Sequence, residues 1–153
     1  MPIIDLPQLR DVLPRGATVA GLDLGERTIG VAISDITLTI ASALGLILRR
    51  KFERDLTELF ALMETRGAAG LVIGLPLNMD GTEGPRCQST RAFARNLLRR
   101  RDLPIAFWDE RLSTVAVQRM LVEEADASRA SRSRKVDSLA AVWILQGALD
   151  RIS

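Results

Sequence analysis

Residues 17–25 read Ala-Thr-Val-Ala-Gly-Leu-Asp-Leu-Gly, a short apolar run with one carboxylate near its end. Because the run is bounded by glycines and has the length of a strand, we predict a β-strand over residues 17–24. Side chains alternate between the faces of a strand, so Asp23 lies on the face opposite its two leucine neighbours. A buried carboxylate without a partner is costly, and Asp23 therefore either hydrogen-bonds within the fold or binds a cation.

The segments that follow predict an α/β fold with a mixed five-stranded sheet. A short turn leads to a second strand at 28–34, which implies an antiparallel hairpin, and the stretch 38–48 extends it to a three-strand meander. The remaining pattern predicts strands at 69–75 and 104–110, and helices at 52–66, 85–101, 113–124 and 136–149. Successive βα units require parallel strands with right-handed crossovers, so helices flank the sheet.

The chain has 153 residues, 47% of them hydrophobic, which predicts a single domain over 1–153 with a substantial core. Residues 1–15 contain three prolines and are expected to form a loosely packed leader. Residues 125–134 are rich in Ser, Ala and Arg without an apolar period, and we predict a mobile basic loop there. No apolar run approaches the length of a membrane span, and the single cysteine rules out an intrachain disulfide, so a cytoplasmic location is expected.

Composition restricts the chemistry, because the chain contains neither histidine nor tyrosine. Histidine-containing nucleophilic triads and the usual zinc ligand sets are therefore excluded. Any bound metal must take oxygen ligands, which favours Mg²⁺ or Mn²⁺. The net charge is only +2, but the cationic residues are nearly all arginine and several are clustered. Such clusters indicate either a phosphate-rich partner or an ordinary solvated surface.

Three acids lie where predicted strands end or helices begin: Asp23, Glu110 at the carboxyl end of the last strand, and Asp137 at the start of the last helix. In α/β sheets, ligands bind where parallel strands end. We expect strands one, four and five to be central neighbours, which would place Asp23 and Glu110 on adjacent strand ends. The small residues Ala140 and Ala141 would let the last helix approach closely enough for Asp137 to join them.

Three converging carboxylates would suit one or two magnesium ions and phosphodiester hydrolysis, a chemistry that needs no histidine. Each acid also has a structural alternative. Asp23 could cap a turn, one of Asp109 and Glu110 could hold Arg111 or a backbone amide, and Asp137 could stabilise a helix N-terminus through the dipole. Asp35, at the end of the second strand, is either a turn residue or a group that supports the site.

Candidate substrate contacts are basic or polar residues near these acids. The loop 74–84 carries Asn78, and Arg111 follows Glu110 directly. A second basic run contains Arg132, Arg134 and Lys135. Arginine and lysine bind backbone phosphates without reading sequence, and the scarcity of aromatic residues argues against base stacking as the main mode of binding.

Four blocks of sequence resemble the YqgF (RuvX) family and occur in the same order as in that family. They are residues 21–25 with 29–35, residues 72–84, residues 108–114, and residues 135–141 with 144–146. The one departure is Ser113, where the family usually has threonine, so the hydroxyl is kept. The resemblance implies a ribonuclease H-like fold and kinship with Holliday-junction resolvases. It also implies maturation of the 5′ end of pre-16S ribosomal RNA in the bacterial cytoplasm, with metal-binding acids at Asp23, Glu110 and Asp137.

The leading hypothesis is a Mg²⁺- or Mn²⁺-dependent endonuclease that acts on structured RNA in ribosome precursors, as a monomer or homodimer. A resolvase acting on branched DNA is an alternative that needs a two-fold dimer. A sugar-kinase or actin-like ATPase fold also opens with Asp-x-Gly, but it needs two such domains, and this chain has room for one. A non-catalytic RNA- or ribosome-binding protein would bind RNA regardless of the three acids.

Overall fold

The computed structural model describes residues 3–112 and 130–152, with side chains in the last segment described from Leu139 onward. Five strands form one sheet in the order β3-β2-β1-β4-β5. The strands are β1 (Thr18–Leu24), β2 (Thr28–Ser34), β3 (Ala41–Leu48), β4 (Ala68–Leu75) and β5 (Ile105–Asp109). The α-helices are α1 (Leu9–Val12), α2 (Phe52–Thr65), α3 (Pro85–Leu98) and α4 (Ala130–Ile152), and 3-10 helices cover Leu6–Gln8 and Glu110–Leu112.

The strand directions confirm the predicted mixed sheet. β2 pairs antiparallel with both β1 and β3, whereas β4 pairs parallel with both β1 and β5. A meander of three strands continued by parallel strands, in this order, is the ribonuclease H-like fold. One detail of the prediction is wrong: β5 is an edge strand, and β4 lies between β1 and β5. The reason is that β2 already pairs with the other side of β1. The first crossover therefore places β4 on the free side of β1, and the second places β5 beyond β4.

The two faces of the sheet carry separate apolar clusters. On one face, Leu22 and Ile73 pack with residues of α2 and α3 such as Leu59 and Leu97. On the other face, strand residues pack under α4, and Ile144 is one of its fully buried contacts. Each such leucine or isoleucine contributes about 1.5–3 kcal/mol when it is fully buried. The sheet is therefore buried on both sides, which explains why apolar residues dominate β1, β2 and β4.

The amino-terminal segment is more closely packed than predicted. Leu9 in α1 is fully buried in the cluster under α4. Ile3 forms a parallel bridge with Ile105, and the backbone N–H of Ile4 donates to the Ile105 carbonyl at 2.9 Å. The bridge forms because β5 is an edge strand whose outer backbone groups need partners.

The last helix begins at Ala130, six residues before its predicted start, so residues 130–134 are helical and not part of a loop. The absence of an apolar period indicates that a segment buries no face, but it does not exclude a helix. Ala and Arg are both good helix formers. The helix predicted at 113–124, its expected cap Ser113 and residues 125–129 lie outside the described residues. Within the described ranges, no helix combines the length and the apolarity needed to cross a lipid bilayer.

Candidate active site at the carboxyl edge of the sheet

Asp23 is the penultimate residue of β1, and its side chain is only 5% exposed. On one side it pairs with Gly30 of β2. On the other side, β4 runs parallel with Leu22 opposite Ile73, so the next pair in register is Asp23 beside Gly74. Both neighbours lack a side chain, so neither crowds the Asp23 carboxylate on the face of the sheet that α4 covers.

Glu110 reaches the same space from β5. It begins the 3-10 helix directly after that strand. A Cβ built on Gly74 would lie 3.4 Å from the carboxyl carbon of Glu110 and 2.5 Å from Cδ1 of Ile144 in α4. Since neighbouring strands are about 4.8 Å apart, the carboxylates of Asp23 and Glu110 flank Gly74 on one face of the sheet.

Helix α4 approaches the sheet closely at this position. Ala140 and Ala141 are fully buried, and the Ala141 carbonyl oxygen lies 3.4 Å from a Cβ built on Gly21. The Gln146 side chain binds the backbone of Thr39 and Ala41 at the opposite edge of the sheet. The turns of α4 that precede Ala140 therefore lead toward the edge that carries Asp23 and Glu110.

Asp137 belongs to this leading part of α4, but its side chain lies outside the described part of the structure. The same holds for Arg132, Arg134 and Lys135, the predicted phosphate contacts. Their functional roles stay predictions.

Asp109 and Glu110 have different environments. One Asp109 oxygen accepts the backbone N–H of Arg111 at 2.9 Å, and the other pairs with the Arg111 guanidinium at 2.8 Å. The hydrogen bond from the Arg111 side chain lowers the pKa of the Asp109 carboxyl. Asp109 is thus the acid that holds Arg111 and a backbone amide, while Glu110 faces the space beside Gly74.

Arg111 also donates to the carbonyl of Met79 at 3.3 Å, which ties the loop after β4 to the end of β5. Within that loop, Asn78 donates from Nδ2 to the Thr82 hydroxyl at 3.0 Å, and its N–H donates to the Thr82 carbonyl at 2.9 Å. The structure therefore gives both Arg111 and Asn78 a part in shaping the loop, and phosphate or substrate contact by either stays a prediction.

Asp35 is a turn residue and lies at the opposite edge of the sheet, after β2. Its Oδ1 accepts the N–H groups of Thr39 at 2.8 Å and Ile40 at 3.0 Å, and its Oδ2 accepts the Thr37 hydroxyl. These bonds, the Thr37 hydroxyl first, lower the pKa of Asp35 to about 2. The interpretation of Asp35 as a group supporting the acids is therefore wrong.

Gly30 and Gly74 are the site residues that sequence reasoning did not single out. A glycine inside an otherwise apolar strand weakens the strand and often marks a place where another group approaches closely. That signal was present in the sequence at both positions. It predicts a close approach by another group but does not identify that group.

The donor set at this edge fits a divalent cation. Both described acids offer carboxylate oxygens, the donors that Mg²⁺ and Mn²⁺ prefer, and Gly74 adds no side chain of its own between them. Among the side chains that the structure describes, no cluster of three or more acids or cysteines is close enough to hold a metal. A third ligand would have to come from outside that set, as Asp137 would.

The fold and this carboxyl edge define the class: a ribonuclease H-like protein with a carboxylate site that fits divalent ions. The sequence comparisons are more specific. A family model described as "RuvX: Holliday junction resolvase" matches residues 17–151. The chain belongs to this RuvX family of nucleases.

The relatives match over nearly the full length of the chain. A protein of Phenylobacterium zucineum is 65% identical over 99% of this chain and 98% of its own length. One from Rhodospirillum rubrum is 63% identical, covering 99% and 94%, and one from Caulobacter vibrioides is 61% identical, covering 99% and 98%. Each of these relatives bears the name "Putative pre-16S rRNA nuclease".

Solved structures are similar only at low sequence identity. RuvC of Thermus thermophilus, in complex with Holliday junction substrate, has a TM-score of 0.49 and 11% identity, covering 90% of this chain and 96% of its own. The yeast mitochondrial Holliday junction resolvase Ydc2 has a TM-score of 0.47 and 13% identity, covering 94% and 82%. The family assignment rests on the sequence matches and not on these likenesses.

Proposed function

We propose that this protein is a divalent-metal-dependent endonuclease that hydrolyses phosphodiester bonds at the 5′ end of pre-16S ribosomal RNA, within ribosome precursors in the cytoplasm. Asp23, Glu110 and Asp137 are the proposed metal ligands, with Mg²⁺ or Mn²⁺ as the ion. The names of relatives at 61–65% identity support the substrate.

The observation that carries the proposal is the approach of two acids, distant in sequence, to the two sides of Gly74. Asp23 is almost fully buried, and Glu110 is half-buried at the end of the neighbouring strand but one. Two carboxylates brought to one end of the sheet offer the oxygen donors that divalent ions prefer.

Divalent ions held there would polarise the phosphodiester, supply an activated water and neutralise charge on the leaving oxygen. The chain's own residues orient that chemistry. The register of β1 and β4 positions Asp23, and the 3-10 turn after β5 directs Glu110 to the same face. The buried Ile144 closes the inner side of the site, so the scissile phosphate must enter from the open edge.

The proposal is tested by incubating purified protein with precursor ribosomal RNA, with and without Mg²⁺ or Mn²⁺, beside the variants Asp23→Asn and Glu110→Gln. Each variant removes one carboxylate with little change in size. Because metal-held charge stabilisation is worth several kcal/mol, we expect cleavage to fall by about 100-fold or more.

Glu58→Gln is the matched control, since Glu58 is an exposed acid on α2 whose ion pair with Arg54 is long, at 4.0 Å. It should leave cleavage unchanged. If Asp23→Asn cleaves as fast as the unchanged protein, this site is not the catalytic one. RNA binding that is independent of all three acids, with no cleavage by any form, would instead support a non-catalytic RNA-binding protein.

Branched DNA is the second candidate substrate, and the description of the family model favours it. Symmetric cleavage of a four-way junction requires two active sites related by a two-fold axis. A four-way DNA junction in the same assay, together with the measured mass in solution, tests it. A monomer that cleaves precursor RNA and leaves junctions intact would exclude this candidate.

A further inference from the structure

A second feature lies at the same edge of the sheet but on the opposite face from the acids. It is a groove of about 590 Å³, which begins at Leu24 and Gly25 and extends between the segment after β3 and the start of α3. Three arginines, Arg49, Arg50 and Arg86, line it, and Glu26 is its one acid. We call this feature the basic groove. Its three cations against one anion leave it positively charged.

Ion pairs neutralise part of the basic surface around this groove. Four arginines on α2, on α3 and in the segment after α3 pair with carboxylates. These pairs are Arg54 with Glu58, Arg91 with Glu83, Arg100 with Glu53, and Arg101 with Glu64. Among the described residues, the guanidinium groups of Arg50 and Arg86 form no such pair, and both residues are exposed.

Arg49 forms the fixed wall of the groove. It donates to the Gly25 carbonyl at 2.6 Å, and its guanidinium carbon lies 5.8 Å from the centre of the Phe93 ring. These contacts neutralise none of its charge, because a carbonyl and an aromatic ring are both uncharged. The charge of Arg49 thus adds to the positive potential of the groove.

The first turn of α3 forms the floor. Gly84 precedes the helix and offers no side-chain cap, and the first turn contains no acid. The helix dipole at such an end favours an anion, and the exposed hydroxyl of Ser89 is a hydrogen-bond donor on the floor of the groove. The charge of the arginines, the dipole of α3 and the shape of the groove therefore all favour an anionic group in the basic groove.

We propose that the basic groove binds backbone phosphates of the substrate strand, one or two nucleotides from the phosphate that lies at Asp23. This inference rests on the proposed function and extends it from the acids to the path of the strand. Gly25 is two residues beyond Asp23, at most about 7 Å of extended chain, so the near end of the groove is within reach of a strand bound at the acids. Contacts of this kind position the strand and carry no sequence information.

The test measures binding of a short fluorescein-labelled single-stranded RNA by anisotropy, in EDTA and over a series of KCl concentrations. The variant is Arg50→Gln/Arg86→Gln. Each phosphate contact on a single strand contributes about 0.7 to the slope of log affinity against log salt. We expect the slope to fall by about 1 and the affinity at low salt to fall by about tenfold.

The matched control is Arg10→Gln/Arg15→Gln, which removes the same charge from two exposed arginines near the amino end of β1. It should leave the slope unchanged. Glu26→Gln, which removes the one acid of the groove, should raise the affinity. Any of three results would overturn the proposal. The salt slope could be unchanged in Arg50→Gln/Arg86→Gln, the control could lose as much RNA affinity as that variant, or the unchanged protein could fail to bind RNA.

DNA of the same sequence forms a second arm, because phosphates are common to both nucleic acids. The loss should be the same for RNA and DNA, and a loss confined to one would overturn phosphate as the ligand. The assay contains no divalent ion, so its result is independent of cleavage. If RNA binding depends on the groove but the protein cleaves no RNA, the phosphate-binding proposal is supported and the proposed nuclease function is rejected. If the protein cleaves RNA but the salt slope is the same in Arg50→Gln/Arg86→Gln, the nuclease function is supported and the phosphate-binding proposal is rejected.

Discussion

Gly74 determines how closely three elements approach at the site. Its neighbours are Asp23 on β1, Glu110 after β5 and Ile144 on α4. Ile144 is fully buried, so it has little freedom to move away from an added group. The absence of a single methyl group at position 74 is thus a condition for the geometry of both acids.

Gly74→Ala is expected to destabilise the protein. Its Cβ would lie 2.5 Å from Ile144 Cδ1, and overpacking of a filled core costs about 1–3 kcal/mol. The free energy of unfolding, measured in urea, checks this value. Cleavage should fall as well, because the new methyl group would contact the Glu110 carboxyl.

Gly45→Ala is the control, since its Cβ would meet only the terminal methyl groups of Leu62, at 3.3 Å and 3.7 Å. There the reduced entropy of the unfolded chain should offset the contact, leaving stability equal or slightly higher. Equal destabilisation by both substitutions would show that strand glycines are interchangeable here and that Gly74 has no special role.

At the scale of elements, the turn between β2 and β3 shows how one carboxylate orders a short segment. Asp35 accepts two backbone N–H groups and the Thr37 hydroxyl. Within the turn, Leu38 adopts a φ of 57° while its side chain is buried. Hydrogen bonds to Asp35 and burial of Leu38 thus hold a backbone conformation that non-glycine residues seldom adopt.

The turn is expected to depend on pH through Asp35. The pKa of its carboxyl is about 2 in the folded protein, below the ordinary value of 3.8, so the ionised form stabilises the fold. That contribution is complete above pH 3.8 and is lost as the pH falls through about 2. Asp35→Ala should therefore lower the urea midpoint at neutral pH, and its difference from the unchanged protein should shrink below about pH 4.

Asp35→Asn serves as the comparison, because it retains one oxygen acceptor but cannot ionise. It should lose less stability than Asp35→Ala at neutral pH, and its own midpoint should lack the pH dependence that the carboxylate confers. A constant difference between the unchanged protein and Asp35→Ala from neutral pH to about pH 3 would contradict this account of the turn.

At the scale of the whole molecule, α4 connects the site to the rest of the sheet. It packs against all five strands, and Gln146 anchors it to the start of β3. The part of α4 before Ala140 leads toward Asp23 and Glu110. Binding of a divalent ion at that edge would consequently stabilise the folded sheet and α4 together.

We expect Mn²⁺ to raise the melting temperature of the protein. At a free concentration 100 times the Kd, a ligand specific for the folded state adds about 2.7 kcal/mol. For a protein of this size that corresponds to about 5–10 °C. Calorimetry with Mn²⁺ and then with excess EDTA measures the gain and its reversal.

The Mn²⁺ effect should be lost in Asp23→Asn and retained in Glu58→Gln. An equal rise in all three proteins would assign the stabilisation to ions bound elsewhere. Because the measurement involves no substrate, it tests the metal site independently of nuclease activity.

The secondary structure was predictable wherever an element buries one face or both. The apolar runs of β1, β2 and β4 and the helical period of α2 are direct consequences of burial, and the structure confirms them within a few residues. Prediction failed at the start of α4, where residues 130–134 show no apolar period although they are helical. It also failed for the leader, because Leu9 is buried by residues distant in sequence.

The sequence by itself determined the α/β class, the mixed sheet and the restriction to oxygen ligands, because these depend on composition and on periods of two and 3.6 residues. Only the tertiary structure decided that β5 lies at the edge, that Asp109 holds Arg111 while Glu110 flanks Gly74, and that Arg49, Arg50 and Arg86 line one groove. Each of these depends on which strands and side chains become neighbours in space. That is set by crossover connections and packing between distant segments, and local patterns do not encode it.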